Sequence, residues 1–470
     1  MLFSSLEFLF AYLPIVLLVY FIAPVKLRNL WILLVSLFFY GWGEPVYVFL
    51  MIFTVLFDYV CGYYVGKYRD TNLKRAKTIL IVSVIVNLGL LGFFKYFDFF
   101  AENLSKIPFI NIPTLGLTLP IGISFYTFQS VSYVVDVYKR RIAPTRSWLD
   151  YIFYLSFFPQ LVAGPIVRAD YFLPQLRRNE RATPNMIWGG LWLIIVGIIK
   201  KALIADYIAQ YNDLVFNDPG FYTGLQAFMG VIGYTMQIYC DFSGYSDMAI
   251  GLASIMGFRL GINFDSPYQS RNLTEFWRRW HISLSSWLRD YVYIPLGGNR
   301  KGVFRTYLNN FLTMLIGGLW HGAAWKFVFW GAMHGVGLAV HKACKPVLKK
   351  IPDNFATDFL FWLMTFVYVS LLWVFFRAAD FQASVTIIES LFTGWDLREF
   401  PEFCTERAAW CIMMAALIVM HFVPQRWADY VQDVFIRAPW IIKLIVFLCA
   451  VQLVISFMSA EVQPFIYFQF

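Results

Sequence analysis

The sequence predicts an all-α polytopic membrane protein, and three observations predict it. Of its 470 residues, 59% are hydrophobic and only 14% are charged, where a soluble domain carries roughly 25% charged residues. The mean hydropathy is +0.61. Apolar stretches recur along the whole chain; a hydrocarbon core about 30 Å thick needs about 20 such residues, and about a dozen stretches of that kind can be read. No stretch is left over for a large soluble domain, so residues 1–470 read as a single membrane domain.

The formal charge of +9 would suggest nucleic acid in a soluble protein. Here the basic residues fall in short loops between apolar spans, and the reading is topology rather than a nucleic-acid partner. The start "MLFSSLEFLF" has no basic n-region and no small-residue cleavage site, so residues 6–23 read as a first span and not as a removed signal. The six cysteines are scattered without a CxxC pair and read as small buried hydrophobes.

Basic loops stay in the cytoplasm. "KYRDTNLKRAK" carries five positive charges and one negative, and "KRRIAPTR" and "KACKPVLKK" carry four positives each. All three are placed inside. Residues 378–406 carry six acids and one arginine, and are placed outside. Threading spans between these anchors takes residues 6–23 in, 30–42 out, 46–65 in, 78–94 out and 117–138 in. The path continues with 188–209 out, 225–256 in, 359–376 out, 408–423 in and 441–460 out, which leaves both termini extracytoplasmic.

Two segments have basic residues on both flanks and read as re-entrant. Residues 151–167 contain "FFPQLVAGP", whose Pro159, Gly164 and Pro165 break a helix. Non-helical backbone at membrane depth survives only where protein or a wet cavity satisfies it. Residues 307–340 read as two short helices that enter and return, with their turn near "WHGAAWK". That places His321 deep in the membrane at a Gly-rich bend, where an ionisable residue is functional by default.

Other polar residues sit where lipid is expected. His334 follows on the returning arm. The run from Arg271 to Gly302 places Trp277, Trp280, His281, Leu284 and Leu288 on one helical face, and reads as one amphipathic, basic helix at the cytoplasmic interface, in contact with membrane lipid. Arg278 and Arg279 on such a helix suit donor phosphates. "YCDFSGYSDMAIG" puts Asp241, Ser243, Tyr245 and Asp247 inside a span. The acids are expected to pair with Arg271, Arg278 or Arg279, or else to line a channel.

Five segments together resemble the membrane-bound O-acyltransferase (MBOAT) family, and closely its bacterial alginate O-acetyltransferase-like branch. They are "LPIGISFYTFQSVSYVVDVY", "YCDFSGYSDMAIGLASIMGFRLGINFDSPY", "TEFWRRWHISLSSWLRDYVYIPLGGNRKG", "FLTMLIGGLWHGAAW" and "PFIYFQF". The resemblance implies the MBOAT fold, with about a dozen transmembrane and re-entrant segments around a central tunnel. It implies His321 as the family's histidine and His281 at its second site. It also implies an acetyl group from cytosolic acetyl-CoA, with no bound cofactor and no metal. The acetyl group would cross the bacterial inner membrane toward an extracytoplasmic polysaccharide, with a periplasmic acetyltransferase as partner. His321 is then the catalytic base, His281 orients or stabilises, and Trp280 and Trp320 line the tunnel with Asp241, Ser243, Tyr245 and His334. Tyr467 in the aromatic tail is a candidate acyl relay. The rival reading is a transporter or polymer-export channel without acyl-transfer chemistry; it predicts inverted repeats, and none is seen.

Overall fold

The computed structural model describes residues 3–178 and 180–457, and every regular element among them is helical. The tail that carries Tyr467 lies outside the described residues. Five helices are long and apolar enough to cross a membrane alone: Pro45–Tyr68, Leu73–Leu104, Pro184–Asn217, Phe355–Arg377 and Trp440–Phe457. A sixth forms if Glu399–Glu406 and Ala408–Phe422, bent by 94°, count as one span.

The chain divides into two compact units. One runs through Ile194 and takes in Tyr245–Gly261, and the other comprises Ile195–Gly244 and the described residues from Ile262 on. The first holds α1 (Leu13–Ile22), α2 (Val25–Gly41), α3 (Pro45–Tyr68), α4 (Leu73–Leu104), α5 (Ile123–Tyr138), α6 (Trp148–Ser156), α7 (Phe158–Leu161), α8 (Ala169–Arg178) and most of α9 (Pro184–Ile198). Local chemistry sets the starts of these helices. Pro45 opens α3 at a position that needs no N–H donor. The Asn72 side chain caps α4 by accepting from Arg75 N at 3.0 Å.

Within the first unit, residues 151–167 are all buried. The helix breaks between α6 and α7 at Phe157, and the freed polar groups are satisfied by protein. Phe158 N donates to Ser36 Oγ at 3.2 Å, Gln160 Nε2 donates to the Tyr154 carbonyl, and the Tyr154 hydroxyl donates to Val167 O at 2.8 Å. This is what irregular backbone at membrane depth requires. A buried acid that the sequence reading passed over, Asp58 in α3, accepts from Ser83 Oγ at 2.7 Å and from Asn87 Nδ2 at 2.8 Å, both on α4. Its donors are neutral side chains of a neighbouring helix, so the carboxyl ties α3 to α4.

The second unit continues with α10 (Asp206–Asn217), most of α11 (Gly224–Ile255), α12 (Leu273–Arg279), α13 (Ile282–Leu288), α14 (Val303–His321), α15 (Trp325–Leu348), α16 (Phe355–Arg377), α17 (Phe381–Ser390), α18 (Glu399–Glu406), α19 (Ala408–Phe422), α20 (Gln425–Arg437) and α21 (Trp440–Phe457). Two expectations change here. The run from Arg271 to Gly302 is not one helix. It breaks between α12 and α13, where His281 adopts φ +42°, because the strand-like segment before α12 competes for its backbone. Ile282 N donates to Asn263 O at 2.9 Å, and Asp265 N donates to Arg279 O at 3.0 Å. The expected buried face survives the break, since Trp280, His281, Leu284 and Leu288 are all buried.

The hairpin that carries His321 is also longer than two short arms. Its helices α14 and α15 run 19 and 24 residues, so α14 alone rises about 28 Å. Glycines let the arms touch. A Cβ on Gly331 would lie 2.5 Å from the Met314 carbonyl oxygen, and one on Gly318 would lie 2.3 Å from the Phe327 carbonyl oxygen. Small residues at such crossings are the usual solution for helix pairs in lipid.

The expected pairing of Asp241 is correct in kind and wrong in partner. Asp241 pairs with Lys201, which sits in a π-helical turn, Ile199–Ala205, and also donates to Asp206 Oδ1 at 2.8 Å. The arginines are satisfied nearer home. Arg279 pairs with Glu275, four residues back on its own helix, at 3.1 Å, and Arg271 pairs with Asp358 at 2.5 Å. Lys201 and Asp241 are both buried, and a buried ion pair broken from one side leaves an uncompensated charge. Lys201→Met is therefore expected to lower stability by about 3–5 kcal/mol, seen as a large drop in the melting temperature of detergent-purified protein. Adding Asp206→Asn and Asp241→Asn to that variant is expected to recover much of the loss. An unchanged melting temperature in Lys201→Met would show that the cluster does not hold the fold.

Candidate active site

The candidate site lies in the second unit and is built from the end of α14, the start of α15, the α12–α13 corner and α16. His321 is the last residue of α14, and the helix stops there because Gly322 turns to extended backbone. The ring is 4% exposed. Three aromatic rings surround it: Trp320 at 5.0 Å, Trp330 at 5.0 Å and Phe376 at 5.2 Å between centroids, all edge-on.

Trp320 and Trp330 each carry the arrangement to another histidine. His281 lies 6.1 Å from Trp320, and His334 lies 4.7 Å from Trp330. The order His281, Trp320, His321, Trp330, His334 thus alternates imidazole and indole. Trp330 and His334 meet because they are four residues apart on α15 and so share a face.

The hydrogen bonds assign tautomers to the two outer histidines. The Asn263 amide oxygen accepts from Ser283 N at 3.2 Å and from Ser283 Oγ at 2.9 Å, so it is the oxygen that faces His281. His281 Nδ1–H donates to it at 3.1 Å, which leaves the proton on Nδ1 and the lone pair on Nε2. At His334 the reverse holds. Trp277 Nε1–H donates to His334 Nδ1 at 3.3 Å, so the neutral ring carries its proton on Nε2. His334 Nε2 and Trp330 Nε1 are buried with no hydrogen-bond partner among the described residues. Buried donors without acceptors are uncommon and each calls for an explanation.

The sequence-read residues are gathered unevenly. His281, Trp320, His321 and His334 come together as described. Trp280 is buried behind them, 4.9 Å from Trp373 and 5.6 Å from Phe276. Arg278 is exposed, while Arg279 is engaged with Glu275 and lies 3.9 Å from Asp265. Asp241 belongs to the lysine cluster, and Ser243 is buried on the same helix. Tyr245 belongs to the first unit, where its ring stacks on Phe3 at 4.6 Å. His421 Nε2 accepts from Tyr268 N at 3.0 Å.

Sequence reading missed Asn263, Trp330, Lys201 and Asp206. Asn263 stands in the quoted "FRLGINFDSPY", and a short polar side chain in an apolar segment was its only signal. Trp330 gave none that separates it from the sixteen other tryptophans. Lys201 was passed over because it sits inside residues 188–209, which read as a span on their apolar length. The cysteines also differ from expectation. Cys61 and Cys240 are buried, but Cys344 and Cys449 are exposed, and Cys404 and Cys411 are half-buried.

Comparison with known proteins gives this geometry a lineage. The family model for the membrane-bound O-acyltransferase family matches residues 46–379. The chain is 39% identical to the probable alginate O-acetylase AlgI of Pseudomonas putida over 495 aligned positions, covering all of both chains. It is 39% identical to the peptidoglycan O-acetyltransferase of Helicobacter pylori, over 83% of this chain and 80% of that one. It is 29% identical to the teichoic acid D-alanyltransferase of Bacillus subtilis, over 59% of this chain and 75% of that one. The matched region contains His281, His321 and His334 together, and with helices fit to cross a membrane it assigns the chain: it belongs to the membrane-bound O-acyltransferase family and is a multi-pass membrane O-acyltransferase.

Proposed function

We propose that this O-acyltransferase takes an acetyl group from cytosolic acetyl-CoA and passes it across the inner membrane for O-acetylation of an extracytoplasmic polysaccharide. A periplasmic acetyltransferase partner completes the delivery. Two relatives named for O-acetylation of alginate and of peptidoglycan support a polysaccharide acceptor. The observation that carries the chemistry is the aromatic enclosure of His321 between two further histidines.

Acyl transfer from a thioester to a hydroxyl needs a base and a stabiliser of the developing oxyanion. The His321 imidazole removes the acceptor's hydroxyl proton as that oxygen attacks the thioester carbonyl. The new C–O bond forms, the C–S bond breaks, and the sulfur leaves as a thiol that takes up the proton. Apolar rings around the base exclude water, which otherwise hydrolyses the thioester. His281, fixed by Asn263, orients Trp320 against His321. The N–H donors of Trp330 and His334 hydrogen-bond the oxyanion as it forms. Tyr467 is a candidate acyl relay. Arg278, exposed on α12, suits the donor's phosphates.

Two substitutions test this reading in purified protein supplied with acetyl-CoA and an acceptor. His321→Ala is expected to lower transfer by at least about 10²-fold, the lower end of general-base catalysis, while the protein still inserts and melts cooperatively. Retention of most activity removes His321 from the mechanism. Trp330→Phe keeps the ring and deletes one donor, and is expected to lower kcat by about 10²–10³-fold with little change in KM. An unchanged kcat removes Trp330 as an oxyanion donor and leaves the His321 result standing.

A further inference from the structure

Cys404 lies in α18 and Cys411 in α19, and their Sγ atoms are 3.8 Å apart. That proximity is unusual for this spacing. Seven residues of unbroken helix rise about 10.5 Å, so the two thiols of a continuous helix would be two turns apart. The chain instead turns by 94° at Arg407, and the corner folds one thiol onto the other.

Aromatic packing holds the corner. Phe403 and Trp410, each beside one of the cysteines in sequence, meet at 5.6 Å, and both pack on Tyr211 of α10, at 5.1 and 5.6 Å. The Arg407 guanidinium sits over the same Tyr211 ring at 4.6 Å. The thiols are therefore brought together by contacts that do not involve sulfur. A disulfide needs the sulfurs at about 2.05 Å, a closure within the reach of side-chain rotation.

The compartment suits oxidation. Between Ala378 and Glu406 the chain carries no lysine and one arginine, a scarcity of basic residues that suits a segment outside the cytoplasm, where disulfides form and persist. Cys344, in contrast, lies among Lys342, Lys345, Lys349 and Lys350, the pattern of the cytoplasmic face.

We propose that Cys404 and Cys411 form a disulfide that locks the α18–α19 corner. The oxidant is a protein disulfide of the extracytoplasmic space. One cysteine thiolate attacks it, its S–S bond breaks, and a mixed disulfide forms. The second thiolate attacks the mixed disulfide, which closes the Cys404–Cys411 bond and releases the oxidant as a dithiol. Two protons and two electrons leave the cysteine pair for the oxidant. The lock bears on the site's surroundings, since Trp410, Met414 and Leu417 of α19 share one apolar core with Trp280 and Trp330.

The test is differential thiol labelling of the full-length protein in membranes. Free thiols are blocked with one maleimide at harvest, the protein is reduced, and newly released thiols are tagged with a heavier maleimide before peptide mass spectrometry. The heavier tag is expected on Cys404 and Cys411 in most molecules, and the first tag on Cys344. The first tag on both Cys404 and Cys411 would overturn the proposal. In Cys404→Ser, Cys411 is expected to take the first tag, and a heavier tag there would mean a different partner. Reductant is expected to lower the wild-type melting temperature to that of the Cys404→Ser/Cys411→Ser protein and to leave that protein unchanged. Equal melting with and without reductant would overturn the locking role.

Discussion

Polar backbone cannot be left bare in hydrocarbon, and the helix breaks of this protein are arranged around that constraint. A bilayer offers no partner for a freed N–H or C=O, so a broken helix must find one inside the protein. The chain breaks between α6 and α7, and Phe158 N, Gln160 Nε2 and the Tyr154 hydroxyl there have protein partners. It breaks again between α12 and α13, and Asn263 and its neighbours take over the hydrogen bonds that the helix lost. The second break shapes the candidate site, because it sets His281 at φ +42° and 6.1 Å from Trp320 rather than on the face of a straight helix. Side-chain charge obeys the same rule. Lys201 and Asp241 are tolerated in the interior because they hold each other.

What was legible in the sequence follows from which forces leave a local signature. Hydrophobic length and loop charge are local, so the membrane class and the main spans could be read directly. The bend after His321 could be read too, because glycine on both sides of a histidine is a backbone statement. The long motifs carried the family. Ion-pair partners could not be read, since they depend on which helices pack side by side. Arg271 and Arg279 were equally plausible partners for Asp241 on charge alone, and the choice fell to burial. An exposed arginine is well served by a nearby surface acid, while a buried carboxylate needs a cation already inside. The corner at Arg407 was equally invisible. A helical pattern at spacing seven gives no hint that two cysteines will meet, because the bend comes from packing against Tyr211, nearly two hundred residues earlier in the chain.

The aromatic neighbours of His321 are themselves informative. In many hydrolytic sites a carboxylate orients the base and stabilises its protonated form. The rings that surround His321 are indoles and a phenyl ring, and the two flanking histidines are fixed by an amide and an indole, both neutral. Neutral partners hold an imidazole in one tautomer without adding a charge to the interior, where a charge is costly. In the reaction proposed above, the proton that His321 takes from the acceptor hydroxyl would go to the departing sulfur. The alternation of imidazole and indole thus gathers polar rings that are each neutral, and so tolerable in a bilayer, around His321.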